Sequence, residues 1–225
     1  MEKPHPAPKI ARILLVDDHP LVRQGLTDLL QREPGFKICG EAETHQDAIE
    51  AIEATRPDLA IVDLNLKNSH GLELIKDIHA RFPNVRVLVV TVQDEMLHAD
   101  RAMRAGASGY ITKDEATINV VQAVRQVLRG EFIVSPKIAA QMAARLAGHP
   151  NGDGSSPSHD RLSDRELEIL GLIGDGLGRQ QIADRLHLDV NTVETYRARI
   201  REKLQFKDAQ ELLQYAIRSN RSRKS

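Results

Sequence analysis

Apolar residues in the first half of the chain fall into two alternating kinds of run. Ile13-Leu14-Leu15-Val16, Leu59-Ala60-Ile61-Val62 and Val87-Leu88-Val89-Val90 are continuous. Such runs are typical of strands buried on both faces of a parallel sheet. Phe36 to Ala42 and Gly109-Tyr110-Ile111-Thr112 predict two more strands. Between them apolar positions recur at helical spacing: Leu21, Val22, Leu26, Leu29 and Leu30; Ala48, Ile49 and Ile52; Leu72, Ile75 and Ile78; Met96, Ala99 and Met103; and Ile118, Val121, Val124 and Leu128. Pro34-Gly35, Arg56-Pro57, Pro83-Asn84, Gly106 and Gly130 close these helices. Residues 64–71 read as a loop from their Asn, Ser and Gly. Strict alternation predicts an α/β domain over residues 11–130, a five-stranded parallel, doubly wound sheet of flavodoxin-like type with helices on both faces.

Beyond it the pattern changes. Ile138, Met142 and Leu146 mark a linker helix, and residues 148–160 (GHPNGDGSSPSHD) hold no apolar side chain, so 131–160 reads as a helix followed by a flexible linker. Residues 161–220 predict an all-α four-helix domain. Ser163-Asp164-Arg165-Glu166 is a capping box, followed by Leu167, Leu170 and Ile173 on one face and by Gly176 as a stop. Ile182, Ala183 and Leu186 mark a second helix. Asp189 can cap a third, with Val193, Tyr196 or Arg197, Ile200 and Leu204 inward, and Leu212, Leu213, Ala216 and Ile217 mark the fourth. The tight turn His187-Leu188-Asp189 makes the middle pair a helix-turn-helix pattern.

Charge sharpens the division. The chain carries a formal net charge of -1, but residues 161–225 hold 13 Lys and Arg against 10 Asp and Glu, and residues 1–160 hold 18 against 22. A basic C-terminal part is compatible with nucleic acid. One cysteine, Cys39 in a predicted strand, excludes an intramolecular disulfide and a cysteine metal cluster. No apolar run approaches a membrane span, and the Pro-rich leader over residues 1–10 has no signal-peptide core, so a soluble, cytoplasmic protein without a membrane partner is expected.

The chemistry sits at the strand ends. Asp17-Asp18 end the first strand, Asp63 the third and Thr91 the fourth, and Lys113 follows the fifth. Open α/β sheets place ligands at the carboxyl ends of neighbouring strands. Three clustered carboxylates raise one another's pKa unless a cation sits among them, and oxygen-only ligands in a wet site favour Mg²⁺. No P-loop or dinucleotide fingerprint is present.

The DD pair, the lone Asp after a buried strand, the Thr and Gly109-Tyr110-Ile111-Thr112-Lys113 resemble the receiver domain of two-component response regulators over about residues 11–130. The resemblance implies that Asp63 is the phosphoacceptor attacking a phosphohistidine, that Asp18 binds Mg²⁺ directly and Asp17 through water, and that the Asn65 carbonyl adds a ligand. It further implies that Lys113 pairs with the phosphoryl group, that Thr91 hydrogen-bonds it, and that Tyr110 follows Thr91 inward as a switch. The partner would be a sensor histidine kinase, and the receiver would catalyse only its own phosphotransfer and dephosphorylation. Lys67 stands where the family often has Pro, and Val92 where a small Ala is common. The competing enzyme class is a Mg²⁺-dependent phosphatase with an Asp nucleophile. Such hydrolases space two Asp by one residue after the first strand. Here Asp17 and Asp18 are adjacent and the nucleophile candidate is on the third strand.

Residues 162–217 resemble the LuxR/FixJ-type helix-turn-helix domain, through Leu162-Ser163-Asp164-Arg165-Glu166-Leu167-Glu168-Ile169-Leu170, Gln181-Ile182-Ala183, Asn191-Thr192-Val193-Glu194-Thr195-Tyr196 and Ile200-Arg201-Glu202-Lys203-Leu204. The whole is similar to a NarL/FixJ-family response regulator, a phosphorylation-dependent transcriptional regulator binding double-stranded DNA. With Val193, Ile200 and Leu204 inward, Asn191, Glu194, Thr195 and Ala198 face out towards the major groove, with Glu194 and Thr195 the best base readers; Arg197, Arg199, Arg201 and Lys203 are placed for phosphates, and Thr192 counts among the DNA-binding residues. Gly178 stands where the family has a capping Ser, and Gln180 where it has Lys, with Arg179 as the substitute cation. The family implies a homodimer on activation through Leu212, Leu213 and Ala216, a contact hidden against the receiver before phosphorylation and freed along the 148–160 linker.

Overall fold

The computed structural model describes residues 10–66, 69–92, 95–146, 161–186 and 188–221. The Pro-rich leader over 1–9, Lys67, the linker over 148–160, His187 in the turn, and Arg223 and Lys224 lie outside the described residues. The chain divides near Pro136 into two compact bodies.

The first contains β1 (Ala11–Val16), α1 (Pro20–Gln31), β2 (Phe36–Ala42), α2 (His45–Thr55), β3 (Leu59–Val62), β4 (Asn65–Leu66), β5 (Ser69–His70), α3 (Gly71–Arg81), β6 (Arg86–Thr91), α4 (Glu95–Ala105), β7 (Gly109–Thr112) and α5 (Lys113–Arg129). Five strands lie parallel in the order β2-β1-β3-β6-β7. Every residue of β3 is buried, as its unbroken apolar run requires of a central strand covered on both faces. Ile13, Leu15, Leu59, Ile61, Leu88, Val90 and Ile111 form one core with Leu26 and Leu30 of α1 and with Ala116, Val120, Ala123, Val124 and Val127 of α5. The alternate residues of β1 and β3, Leu14, Val16, Ala60 and Val62, are equally buried and point to the other face.

Two helix faces differ from the sequence pattern. Leu21 is 88% exposed and Ile118 83% exposed. In α5 the inward arc runs through Ala116, Val120, Ala123 and Val127, small or β-branched residues that let the helix lie close to the sheet. Ile118 is two residues from Val120, about 200° round the helix, and so faces out. In α1 the inward arc is Arg23, Leu26, Thr27 and Leu30.

The segment read as a loop over 64–71 contains the two-residue antiparallel pair β4–β5, with Asn65 opposite His70 and Leu66 opposite Ser69. The Gly71 N–H donates to the Leu64 carbonyl at 2.8 Å. A Cβ on Gly71 would lie 2.2 Å from the Asp63 carbonyl oxygen and 2.7 Å from Leu64 Cα. These are backbone atoms and cannot step aside, so the start of α3 sits on the end of β3 only because residue 71 is glycine.

The second body comprises α6 (Pro136–Leu146), α7 (Asp164–Gly174), α8 (Arg179–Leu186), α9 (Val190–Leu204) and α10 (Ala209–Arg221). Leu167, Leu170, Ile173, Ile182, Val193, Ile200, Leu204, Leu212 and Ala216 share one core. The Ser163 side chain accepts the Glu166 N–H (3.4 Å), and Glu166 accepts the Ser163 N–H (2.7 Å), completing the capping box. Gly178 supplies no side-chain cap to α8, but its N–H donates to Gln181 Oε1 at 2.8 Å, so half of the box survives the missing Ser. Asp189 stands at the N-cap of α9 without the side-chain bond expected of it. Among the described residues no helix is long and apolar enough to cross a membrane.

Gly71→Ala is expected to destabilise the first body by about 1–3 kcal/mol or more through this backbone collision. Urea unfolding followed by far-UV circular dichroism will read it, and a midpoint equal to wild type would refute the packing argument.

Candidate functional site

The parallel register sets strand ends side by side. Val16 pairs with Val62, and the Asp63 N–H donates to the Val16 carbonyl at 2.8 Å, so Asp17 and Asp63 leave adjacent strands at one level. Val89 pairs with Val62, which places Thr91, the last residue of β6, beside them. Thr112 pairs with Thr91 and caps α5 in a box with Glu115, so Lys113 begins its helix at the same rim.

Asp63 lies immediately past β3 and is 1% exposed. The Lys113 ammonium sits 2.6 Å from Asp17 Oδ2 and 2.7 Å from Asp63 Oδ2. The Asn65 N–H donates to Asp63 Oδ1 at 3.2 Å, and the Thr91 hydroxyl donates to the same carboxylate. Burial pushes the Asp63 carboxyl up to about 6; Lys113 pulls it down, and the neighbouring Asp17 pushes it up. Burial pulls Lys113 down, but Asp63 and Asp17 raise it further, so the ammonium is held above its ordinary value.

Asp17, Asp18, His19 and Asp63 each offer a ligand atom, all within 4.8 Å of one another. Asp18 Oδ1 is buried and lies 2.7 Å from His19 Nδ1, off hydrogen-bonding angles, so that among the described residues it has no hydrogen bond. Lys113 serves Asp17 and Asp63 but not Asp18. A buried carboxylate oxygen of this kind, beside two others, fits a hard cation, and the set could hold a metal ion. The sequence reading missed His19, whose N–H and Nδ1 both lie against Asp17 Oδ1, at 2.8 and 3.1 Å. Its position directly after Asp17-Asp18 was the available signal.

In the second body, α8 and α9 form the helix-turn-helix. Val193, Ile200 and Leu204 are buried, and Tyr196 and Arg197 are both half-buried. Asn191, Glu194, Thr195, Ala198 and Arg199 are exposed along the opposite side. Glu194 stands 3.8 Å from Arg179 and 3.9 Å from Arg197, and the Arg199 guanidinium lies 5.8 Å from the Tyr196 ring centroid. The Thr195 hydroxyl donates to the Asn191 carbonyl at 2.9 Å.

Residues 13–125 match the response regulator receiver domain, and residues 160–216 match the luxR family of bacterial regulatory proteins. The response regulator GacA of Pseudomonas aeruginosa is 38% identical over 207 residues, 92% of this chain and 95% of that protein. The DNA-binding transcriptional activator DevR/DosR of Mycobacterium tuberculosis is 36% identical over 219 residues, 95% of this chain and 97% of that one. The chain belongs to the LuxR-type response regulators. RcsB from Salmonella enterica serovar Typhimurium, in a structure bound to promoter DNA with the phosphomimetic BeF3-, shares the fold: the TM-score is 0.56 at 22% identity, over 93% of this chain and 100% of that one.

Several of the side chains expected to act at an interface already have partners within this response regulator. Lys203, expected to meet a DNA phosphate, reaches the buried capping carboxylate of Glu166 at 2.6 Å. Burial raises Glu166, but the hydrogen bonds from Lys203 and Ser163 outweigh it and hold the carboxyl below its ordinary range. Leu212 and Ala216 are buried in the domain's own core, packed in the cluster that α7 and α9 also line, so they are not available to a second copy; Leu213 is 41% exposed. Tyr110 is fully buried and Thr91 is closed to solvent, while Val92 is exposed beside them. Arg201 and Thr192 are half-buried.

Asp63 carries a pH-dependent stability term. Its folded carboxyl, at about 6, binds a proton more tightly than the unfolded chain at 3.8. Its contribution to stability is therefore fully present below 3.8 and lost as pH rises through about 6. Ionising it at neutral pH costs on the order of 3 kcal/mol. In metal-free buffer, Asp63→Asn is expected to be more stable than wild type at pH 7.5, by about 1–3 kcal/mol, with the gain vanishing towards pH 4. Denaturant titrations across that range will show it; an unchanged or lower stability at pH 7.5 would contradict the burial argument.

Proposed function

We propose that this regulator is phosphorylated on Asp63 by a sensor histidine kinase in the presence of Mg²⁺, and that phosphorylation raises its affinity for promoter DNA, read by a homodimer. The observation that carries this reading is the setting of Asp63: a buried carboxylate between the Lys113 ammonium and the Thr91 hydroxyl, on a rim shared with Asp17 and Asp18. An Asp63 carboxylate oxygen attacks the phosphorus of a phosphohistidine. The O–P bond forms as the P–N bond breaks, the imidazole leaves with the electron pair, and Asp63 becomes an acyl phosphate. Mg²⁺ held by Asp17, Asp18 and Asp63, with the Asn65 carbonyl, would neutralise charge on the phosphoryl oxygens. Lys113 stays ionised throughout and moves from the two carboxylates to the phosphoryl group. Thr91 shifts its hydroxyl from the Asp63 carboxylate to a phosphoryl oxygen. Because Tyr110 is already inside the body, phosphorylation favours this packed arrangement and does not draw the ring in from solvent.

On α9, Asn191, Glu194, Thr195 and Ala198 face base edges, with Thr192 at the margin. Arg179, Arg197, Arg199 and Arg201 supply the phosphate contacts. Glu194 accepts from a cytosine amino group once Arg179 and Arg197 turn to phosphates. The dimer contact uses the outer side of α10 through Leu213, since Leu212 and Ala216 are spent on the core.

With acetyl phosphate and Mg²⁺, wild type is expected to tighten on its operator, while Asp63→Asn binds equally with and without phosphodonor. Stimulation of the variant in an electrophoretic shift assay would sink the proposal. Arg199→Ala should weaken all sequences alike and lower the salt slope by about 1, whereas Glu194→Ala should relax preference at one base position by about 1–3 kcal/mol. Binding to a randomised DNA pool at two salt concentrations separates the two; a uniform loss for Glu194→Ala would remove it from the base-reading set.

A further inference from the structure

Arg23 sits on the inward stripe of α1, three and seven residues before Leu26 and Leu30, where a charge is costly unless fully paired. It is 9% exposed. Its Nε donates to Glu41 Oε2 at 3.1 Å and one terminal nitrogen to Glu43 Oε1 at 2.7 Å, both acids lying at the end of β2 or just past it. The other terminal nitrogen donates to the backbone carbonyl of Asp17 at 2.5 Å. Thr27 donates to the second oxygen of Glu41 at 3.4 Å.

The consequence lies one peptide further on. The Asp17 N–H is held by the Ala42 carbonyl at 3.1 Å, and the Asp17 carboxylate by the His19 N–H and Lys113. With Arg23 on its carbonyl, Asp17 is held at its N–H, at its carboxylate and at its carbonyl, the last being the group that leads into Asp18. Asp18 follows directly, and its buried Oδ1 has no hydrogen bond of its own among the described residues. The aim of that carboxylate is therefore set by the backbone that Arg23 holds.

We propose that Arg23 is a positioning residue of the acidic rim: braced by Glu41 and Glu43, its guanidinium clamps the Asp17 carbonyl and so orients Asp18 towards the bound cation. This rests on the reading of the rim as a Mg²⁺-dependent phosphoacceptor site. The role needs a planar fork with three donors in fixed directions, which a lysine ammonium cannot reproduce. Arg23 touches neither the cation nor the phosphoryl group, so it acts on metal affinity and not on the transfer step.

The test uses the full-length protein and Arg23→Lys, which keeps the charge. Mg²⁺ affinity is measured directly by isothermal titration calorimetry. The rate of phosphorylation by acetyl phosphate is then followed against Mg²⁺ concentration. Outer-shell partners of metal ligands typically change affinity by about 10–100-fold. The expected result is Mg²⁺ binding weakened about tenfold in both measurements, with the plateau rate at saturating Mg²⁺ within about threefold of wild type. A merely structural arginine would lower the plateau and the unfolding midpoint without this split. Unchanged Mg²⁺ affinity, or loss confined to the plateau, overturns the proposal. If Arg23→Lys does not fold, Glu43→Gln leaves the guanidinium in place but less firmly braced and is expected to weaken Mg²⁺ about threefold; wild-type affinity there overturns the proposal equally. If wild type itself binds no Mg²⁺, the reading of the rim falls and the role of Arg23 with it. If wild type binds and the variants match it, only the role of Arg23 falls.

Discussion

One ammonium shared between two buried carboxylates organises the receiver body. Lys113 lies within 2.7 Å of both Asp17 and Asp63, and each of these acids follows an apolar strand that a parallel sheet buries on both faces. Either carboxylate alone would be costly at that depth, and Lys113 at the first position of a helix gains nothing from the helix dipole, which disfavours a cation there. Each group is tolerable only because the others are present. The capping box of Thr112 and Glu115 fixes where α5 begins, and with it the reach of Lys113. The glycine at position 71 fixes where β3 ends, and with it the place of Asp63. The compensation is incomplete, since Asp18 has no share in the ammonium, and that leaves a rim that could hold a cation.

The second body solves a similar problem for a different purpose. Glu166 closes the capping box at the start of α7 and takes the Lys203 ammonium from the last turn of α9. Arg165 donates to Glu168 and to the Leu186 carbonyl at the end of α8. The two helices of the helix-turn-helix are thus tied by polar bonds to one turn of α7, as well as by the core of Val193, Ile200 and Leu204. A surface that reads bases needs its supporting helix held to a fraction of an ångström, and side chains locked by partners behind it provide that.

Much of this was legible because strands buried on both faces are continuous apolar runs, so each strand end announces itself. Asp17, Asp63, Thr91 and Lys113 could be placed on one rim from sequence for that reason alone. Helix faces were harder. Periodicity identifies apolar positions but not the arc that meets the sheet: Leu21 fell outside the Arg23, Leu26, Thr27 and Leu30 arc of α1, and Ile118 outside the α5 arc, where alanines make the close contact. Leu212 and Ala216 were legible as apolar, yet nothing local said whether their cover was α7 or a second chain. The partners of Lys203 and Arg23 were invisible because they come from 37 residues away in one case and 18 to 20 in the other. An arginine in an apolar helical stripe is nevertheless a signal that paired acids must be near.

The topology also bears on how a change at the rim leaves the body. Strand β7 has β6 on one side, with Thr91 opposite Thr112 and Val89 opposite Tyr110. On its other side runs the chain that exits after α5. The Tyr110 N–H donates to the Ile133 carbonyl at 2.8 Å, and the Ile133 N–H donates to the Ser108 carbonyl at 3.1 Å. The exit segment is thus paired, like a further strand, to the strand that carries Tyr110 and delivers Lys113. Backbone bonds of this kind transmit displacement more faithfully than side-chain packing, because neither partner can change rotamer to absorb it. A displacement of β7 would therefore be felt by the exit segment through these two hydrogen bonds, and that segment leads directly into α6.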